Sequence, residues 1–191
     1  AMAHWGIGYC AGPNYNKPWE AFDDDDRARS LDRMRRSVAA AVACAGEASP
    51  VEQALIGALA GRYDVGAKAD LAIRNDGYAA AMREVFRSHG DSLDVRALFA
   101  EAIMNRTPWA LWDLATGEPV EGADTVEAMD VLEAAFTGPR FAAAYRPPCR
   151  LHICTPLRQI SPPPLHASRA RRPHLRPGPL PSPRRALPPP V

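Results

Sequence analysis

Apolar side chains that recur at intervals of three and four residues are the feature that most restricts the fold of this chain. Five segments carry them: Leu31, Met34, Val38 and Val42; Val51, Leu55, Ile56 and Leu59; Tyr78, Met82, Val85 and Phe86; Val95, Leu98, Phe99, Ala102 and Ile103; and Val126, Met129, Leu132 and Phe136. This spacing places each set on one face of a helix. Because no alternating strand pattern lies between them, the sequence predicts an all-α fold.

Residues that begin and end helices agree with this pattern. The acidic run Asp23 to Asp26 precedes the first periodic segment, where carboxylates favour the N-terminus of a helix. Ser49 followed by Pro50 is typical of a cap and a first helical residue. Gly90 is predicted to be a left-handed C-cap that ends the helix containing Tyr78. The helix that follows is predicted to start at Asp91 or Ser92.

Short turns join these helices, so neighbouring helices are predicted to pack antiparallel, as a stack of helical hairpins. A short loop cannot carry the chain back to the other end of a helix. Stacked hairpins form a groove walled by one helix from each pair, and such grooves bind peptides or partner helices.

Composition divides the chain near Gly138. Ten arginines, no lysine and no acidic residue lie from 134 to 191, leaving 13 bases and all 22 acids before them. Fifteen of the 20 prolines also lie between 139 and 190. The sequence therefore predicts a helical domain at 1–137 and a disordered Pro/Arg-rich tail at 138–191, because proline interrupts helices and the tail has few clustered apolar residues.

The tail offers two weak functional signals. Its arginines can attract phosphates and its proline runs can bind aromatic grooves, but a nucleic-acid function is not expected because stacking aromatics are scarce. Cys149, His152 and Cys154 can ligate a metal ion, yet a structural zinc site needs a second ligand pair at a defined distance. We therefore interpret this trio as chance.

No cofactor and no catalytic activity are predicted for the domain. His4 beside Trp5 is interpreted as a hydrogen-bonded core residue, and His89 as a cation that complements a helix C-terminus. The run Asp23 to Asp26 lacks the alternating ligands and glycine of a calcium loop, so it is interpreted as a cap. No nucleophile elbow or phosphate-binding glycine loop is present.

Cysteine content and hydropathy bear on location. Four scattered cysteines do not form a disulfide framework, which favours a reducing, cytoplasmic compartment. No apolar run reaches the roughly 18 residues of a membrane span, so no membrane role is predicted. Ala1 is not an initiator residue, so an upstream targeting segment can be missing.

Two sequence blocks resemble a family of tetratricopeptide-repeat-like (TPR-like) proteins of bacteria and fungi whose function is mostly unassigned. The first block is AHWG at 3–6 with GPNYN at 12–16, and the second is AEAIMN at 100–105 with PWALW at 108–112. The resemblance covers about residues 1–137 and implies a helical-hairpin solenoid. In this family the last helix is followed by further hairpins, so we interpret this chain as a fragment whose tail is frameshifted or intron-derived.

We therefore predict a protein–protein interaction module that binds a protein or peptide partner in a helical groove. The candidate contact residues are Asn14, Asn16, Asn105, Trp109 and Trp112, because amides can hold a peptide backbone and tryptophan supplies a large anchor. The alternative for the asparagines near Pro13 is a turn-forming role, and for the tryptophans a place in the core. The alternative function is an uncharacterised helical-repeat enzyme or metal-binding family whose functional residues lie outside this chain.

Overall fold

The computed structural model describes residues 1–63 and 71–137, and this part of the chain is helical without a strand. The predicted tail and the Cys149, His152 and Cys154 trio lie outside the described residues. The helices are α1 (Met2–Cys10), α2 (Asp24–Ala43), α3 (Pro50–Tyr63), α4 (Leu71–His89), α5 (Leu93–Met104) and α6 (Thr125–Thr137). Two short 3₁₀ turns at Trp19–Ala21 and Ala45–Glu47 precede α2 and α3.

Each helix packs against the next as an antiparallel neighbour. In the first pair, Gly8 lies against Val38 whereas Gly12 lies against Met34, so the two helices run in opposite directions. The second pair shows the same geometry, because the end of α3 contacts the start of α4 while Ala54 shares a groove with His89.

The third pair follows the same plan, and the three hairpins stack. Arg106, two residues after α5, pairs with Asp124 at the start of α6 at 2.5 Å. Within the stack, α1 and α3 run in the same direction: the Trp5 Nε1–H donates to the Leu55 carbonyl at 3.1 Å, and Arg62 further along α3 reaches the Pro13 carbonyl beyond the end of α1. The predicted all-α array of antiparallel hairpins is confirmed for these six helices.

The predicted helix starts are confirmed at atomic detail. The Asp23 carboxylate accepts from the Asp26 backbone N–H at 2.7 Å, α3 begins at Pro50, and the Ser92 hydroxyl caps α5. The prediction for Gly90 is wrong, since its backbone is not left-handed. This residue is instead needed for close packing, because a Cβ there would lie 2.6 Å from the Phe86 carbonyl oxygen.

Most of the predicted apolar faces are buried, with two corrections. Val42 is 49% exposed near the end of α2, and Val126 is 55% exposed in the first turn of α6. The buried face of α6 is formed by Thr125, Ala128, Val131, Leu132 and Ala135. The predicted stripe therefore holds at Leu132, Met129 and Phe136, which pack on the core, and is wrong at Val126.

Two glycines test how tightly the first hairpin packs. We expect Gly12→Ala to lower the free energy of unfolding by about 1–3 kcal/mol, because the added Cβ would lie 2.3 Å from the Tyr63 hydroxyl oxygen and 3.0 Å from the Met34 sulfur. Gly57→Ala is the matched control: nothing lies within 4 Å of its Cβ position. In mid-helix that alanine should raise the free energy of unfolding by roughly 0.5–1 kcal/mol. Urea denaturation of the full chain measures both, and equal effects would contradict the described contact.

Candidate functional site

The two sequence blocks that carry the family resemblance meet in the folded chain. The Tyr9 hydroxyl in α1 donates to the Glu101 carboxylate in α5 at 3.1 Å. The backbone N–H of Tyr15 faces the same carboxylate. The backbone N–H of Trp109, after α5, in turn faces the Tyr15 hydroxyl. Segments some 90 residues apart therefore form one end of the helical stack.

A buried polar cluster, formed by Tyr9, Arg62, Asn75, Glu101 and Asn105, joins four helices at this end. Arg62 Nη2 donates to Asn75 Oδ1 at 2.9 Å and to the Pro13 carbonyl at 3.4 Å. Asn75 Nδ2 donates to the Asn105 carbonyl at 3.0 Å, and Asn105 Nδ2 donates to Glu101 Oε1 at 2.5 Å. The chain of hydrogen bonds thus runs from the end of α3 through α4 and α5 to α1.

Burial dominates the electrostatics of this cluster. It raises the pKa of Glu101, while the Arg62 charge and the hydrogen bonds from Asn105 and Tyr9 oppose this rise. Burial also raises the pKa of Tyr9 and of Tyr78, so both phenols stay protonated and serve as neutral donors. The Arg62 guanidinium carbon lies 4.5 Å from the centroid of the Tyr78 ring, a cation–π distance.

The raised pKa of Glu101 predicts a pH range in which the stability of the fold depends on pH. A carboxyl whose pKa is higher in the folded state binds its proton more tightly there than in the unfolded chain. The free energy of unfolding should therefore fall as the pH rises from the ordinary carboxyl pKa through the raised value. Glu101→Gln should remove this fall, as measured by urea denaturation at a series of pH values.

Glu127 provides the control of opposite sign. Its hydrogen bonds from Arg83 lower its pKa, so its contribution to stability is present above the ordinary carboxyl pKa and lost as the pH falls through the lowered one. Glu127→Gln should therefore flatten the acid side of the profile. A Glu101→Gln profile that keeps the wild-type slope would show that burial does not control this carboxyl.

An open groove lies on the side of the stack where α1, α3 and α5 run parallel. Its volume is about 610 Å³, within the range of ligand-binding clefts. The side chains that line it are Met2, Trp5, Tyr9, Ser49, Val51, Glu52, Leu55, Ser92, Asp94, Val95, Ala97 and Leu98. Trp5 and Tyr9 stack on each other with ring centroids 5.0 Å apart. Tyr9 belongs to both sites, so the groove borders the buried polar cluster.

None of the five predicted contact residues is among the described residues that line the groove, and their environments differ. Asn14 and Asn16 are exposed, and Asn14 Oδ1 accepts from the backbone N–H groups of Asn16 and Lys17 at 2.9 and 3.0 Å, which is a turn-forming role. Asn105 is only 3% exposed, so its amide serves the buried polar cluster rather than the surface.

The two tryptophans differ as well. Trp109 is 63% exposed and has a φ of 60°, a strained conformation for a bulky residue. Trp112 is half-buried against the core, and its backbone bridges to Pro119. Of the five predicted residues, Trp109 is thus the large side chain that projects into solvent.

The two histidines within the described residues lie in different environments. His4 is exposed on α1, so its predicted place in the core is wrong. His89 lies in the last turn of α4, as predicted. No group of three or more His, Cys, Asp or Glu residues within 1–63 and 71–137 is placed to hold a metal ion. None of the described helices is both long and apolar enough to cross a membrane.

Comparison with known proteins adds no relative. No protein-family model matches the chain, no curated protein matches its sequence, and no solved structure matches its fold.

Sequence reasoning missed Arg62, Asn75 and Glu101 as members of a site, although a signal for two of them was present. Arg62 follows Leu55 and Leu59 at helical intervals, so it continues the buried stripe of α3. Asn75 precedes Tyr78 and Met82 in the same way on α4. A charged or amide side chain on an apolar stripe indicates a buried polar partner, because such groups are buried only when paired.

Proposed function

We propose that residues 1–137 form a TPR-like protein–protein interaction module that binds a peptide in the groove between α1, α3 and α5. The observation that supports this proposal is the composition of the groove wall, which comes from the first helix of each of three successive hairpins. Repeat proteins bind peptides on the surface formed by equivalent helices of successive repeats. Trp109 remains a predicted second contact at the far end of the stack.

The side chains of the groove indicate which peptide fits. Val51, Leu55 and Leu98 provide an apolar wall, whereas the charged lining residues are Glu52 and Asp94. Both charges are negative, and none of the lining residues within 1–63 and 71–137 is basic. We therefore propose a partner segment with a bulky apolar side chain flanked by lysine or arginine, since opposite charges at the rim of a groove favour association.

One of the two carboxylates, that of Glu52, is held in place by hydrogen bonds at the start of its helix. Glu52 Oε2 accepts from the Ser49 backbone N–H at 2.8 Å and from its hydroxyl at 2.7 Å, and these hydrogen bonds lower the pKa of Glu52. Asp94 lies in the first turn of α5, next to the Ser92 cap. Fixed charges pay little conformational entropy when a basic partner binds.

The same proposal gives the protein a cytoplasmic location. It assigns no catalytic step to the chain. Cys10 and Cys44 are free thiols on the surface of the described domain. Exposed free thiols persist in a reducing compartment. A scaffold or adaptor role in the cytoplasm is therefore the setting that we propose for the groove.

Selection from a random peptide library with the full chain tests the proposal directly. Enriched peptides should share one aromatic or branched apolar residue with lysine or arginine next to it. Leu98→Arg should then weaken binding of the best peptide by about tenfold or more, because it places a cation in the apolar wall and loses contact area. Fluorescence anisotropy measures the affinity.

Two controls make the result specific. Val126→Arg adds the same charge to an exposed position of α6 and should leave the affinity unchanged. Asp94→Lys should lower the affinity for basic peptides, and the remaining binding should depend less on salt concentration. Enriched peptides without a charge preference, or full binding by the Leu98→Arg chain, would exclude this groove as the binding site.

A further inference from the structure

The surroundings of Arg62 contain several buried polar atoms without a hydrogen-bond partner. These atoms are Arg62 Nε and Nη1, the Tyr78 hydroxyl and Asn105 Oδ1, and the Tyr63 hydroxyl lies beside the Arg62 side chain. Native proteins contain only a few such atoms per hundred residues, and each usually binds an ordered water or an ion. Their concentration around one guanidinium that is 0% exposed therefore indicates a bound group.

The charges around Arg62 indicate the sign of that group. Within the described residues the carboxylate that acts on Arg62 is Glu101, and its oxygens already accept from Tyr9 and Asn105. No ion pair between Arg62 and a described acid is found within 4 Å. The Arg35 Nε–H reaches the Tyr63 carbonyl at 3.5 Å, which adds a second guanidinium to the neighbourhood.

Donors also outnumber acceptors among the unpaired atoms. Two guanidinium nitrogens carry only donors, and burial keeps the phenols of Tyr63 and Tyr78 protonated by raising the pKa of each. Gly12 fixes the position of one donor, because a Cβ at this residue would occupy the place of the Tyr63 hydroxyl. A buried cation surrounded by neutral O–H donors is suited to a small anion.

We propose that Arg62, Tyr63 and Tyr78 form an internal binding site for a small monovalent anion such as chloride or formate. The anion accepts hydrogen bonds from the Arg62 guanidinium and from the phenol O–H groups, and it balances the charge of Arg62. This site is separate from the peptide-binding groove, although Tyr9 and Glu101 connect the two. Its role is to hold the ends of α3 and α4 together.

Thermal unfolding of the full chain in different salts tests this site. The protein is exchanged into sodium gluconate, whose anion is too large for an interior site, and gluconate is then replaced by chloride, bromide or formate at constant ionic strength. The small anions should raise Tm by about 3 °C or more at saturation. Crystals grown in bromide should show an anomalous peak beside the Arg62 guanidinium.

Variants identify the residues responsible. Tyr78→Phe removes a hydroxyl but keeps the ring beneath Arg62, and it should reduce the response to small anions severalfold. Arg62→Met should abolish the response, whereas the surface variant Arg36→Met should keep it. Because Tyr78→Phe changes one atom, it keeps the test decisive if Arg62→Met does not fold.

Three results would overturn the site. The first is equal stability in gluconate and in chloride, formate or bromide. The second is a crystal structure with only water beside Arg62. The third is a large loss of stability in Asp64→Asn or Asp70→Asn with no anion effect in the wild type, which would assign the counter-charge to the chain itself. Because the library selection has an independent readout, loss of the anion site leaves the peptide-binding proposal intact.

Discussion

Replacing Phe99 with alanine is expected to lower the free energy of unfolding by about 4 kcal/mol. Phe99 is 0% exposed in the middle of α5, and its ring stacks on Phe86 of α4 with centroids 4.8 Å apart. The Arg83 guanidinium lies 5.6 Å from the same ring and pairs with Glu127 of α6 at 2.6 Å. Truncation therefore opens a cavity where three helices meet.

Urea denaturation of the full chain, followed by circular dichroism, measures this effect. Domains of this size have a total stability of roughly 5–15 kcal/mol, so the variant should melt far below the wild type. Leu114→Ala is the control, because Leu114 is 81% exposed and contributes little packing. Similar losses for both variants would show that the second and third hairpins are not packed through Phe99.

Arg62→Ala is expected to have the second largest effect, a loss of roughly 3–5 kcal/mol. The substitution removes the donor to Asn75 and to the Pro13 carbonyl. It also leaves the buried Glu101 without the positive charge that acts on it. Although the two side chains form no direct ion pair, loss of the positive charge is costly, because a carboxylate in the interior is poorly hydrated.

A double-mutant cycle separates this electrostatic effect from lost packing. Arg62→Met keeps most of the side-chain volume, and Glu101→Gln keeps one of the two acceptor oxygens. The double variant should lose less free energy of unfolding than the two single variants together, by about 1 kcal/mol or more. Arg36→Ala, which breaks an exposed ion pair with Asp32, should have no measurable effect. Additive losses for Arg62 and Glu101 would show that the two side chains act independently.

Apolar spacing and caps predicted five of the six described helices and the antiparallel pairing of neighbours, because these depend on residues close together in the chain. Ser92 and Asp23 provide caps within three residues of the N–H groups that they satisfy. The short connections before α3 and α5 then leave an antiparallel return as the available geometry. Where a prediction failed, at Gly90 and Val126, the outcome depended on how close two packed surfaces came.

The candidate site was predicted only in part. The resemblance identified both segments that meet at Tyr15 and Trp109, and the hairpin argument predicted a groove walled by one helix of each pair. It did not identify Trp5, Leu55 and Leu98 as neighbours in that groove. Their shared surface depends on the relative rotation of three helices, which no single helical period defines.

The sequence by itself determined five of the six described helices, the caps at Asp23 and Ser92 and the antiparallel return between neighbours, because these follow from interactions within a few residues. Only the tertiary structure decided that Arg62, Asn75 and Glu101 share one interior. Their hydrogen bonds join positions 13 to 30 residues apart along the chain and more distant ones through Tyr9. Such contacts form once apolar burial has brought the helices together, so their partners are chosen by packing rather than by local pattern.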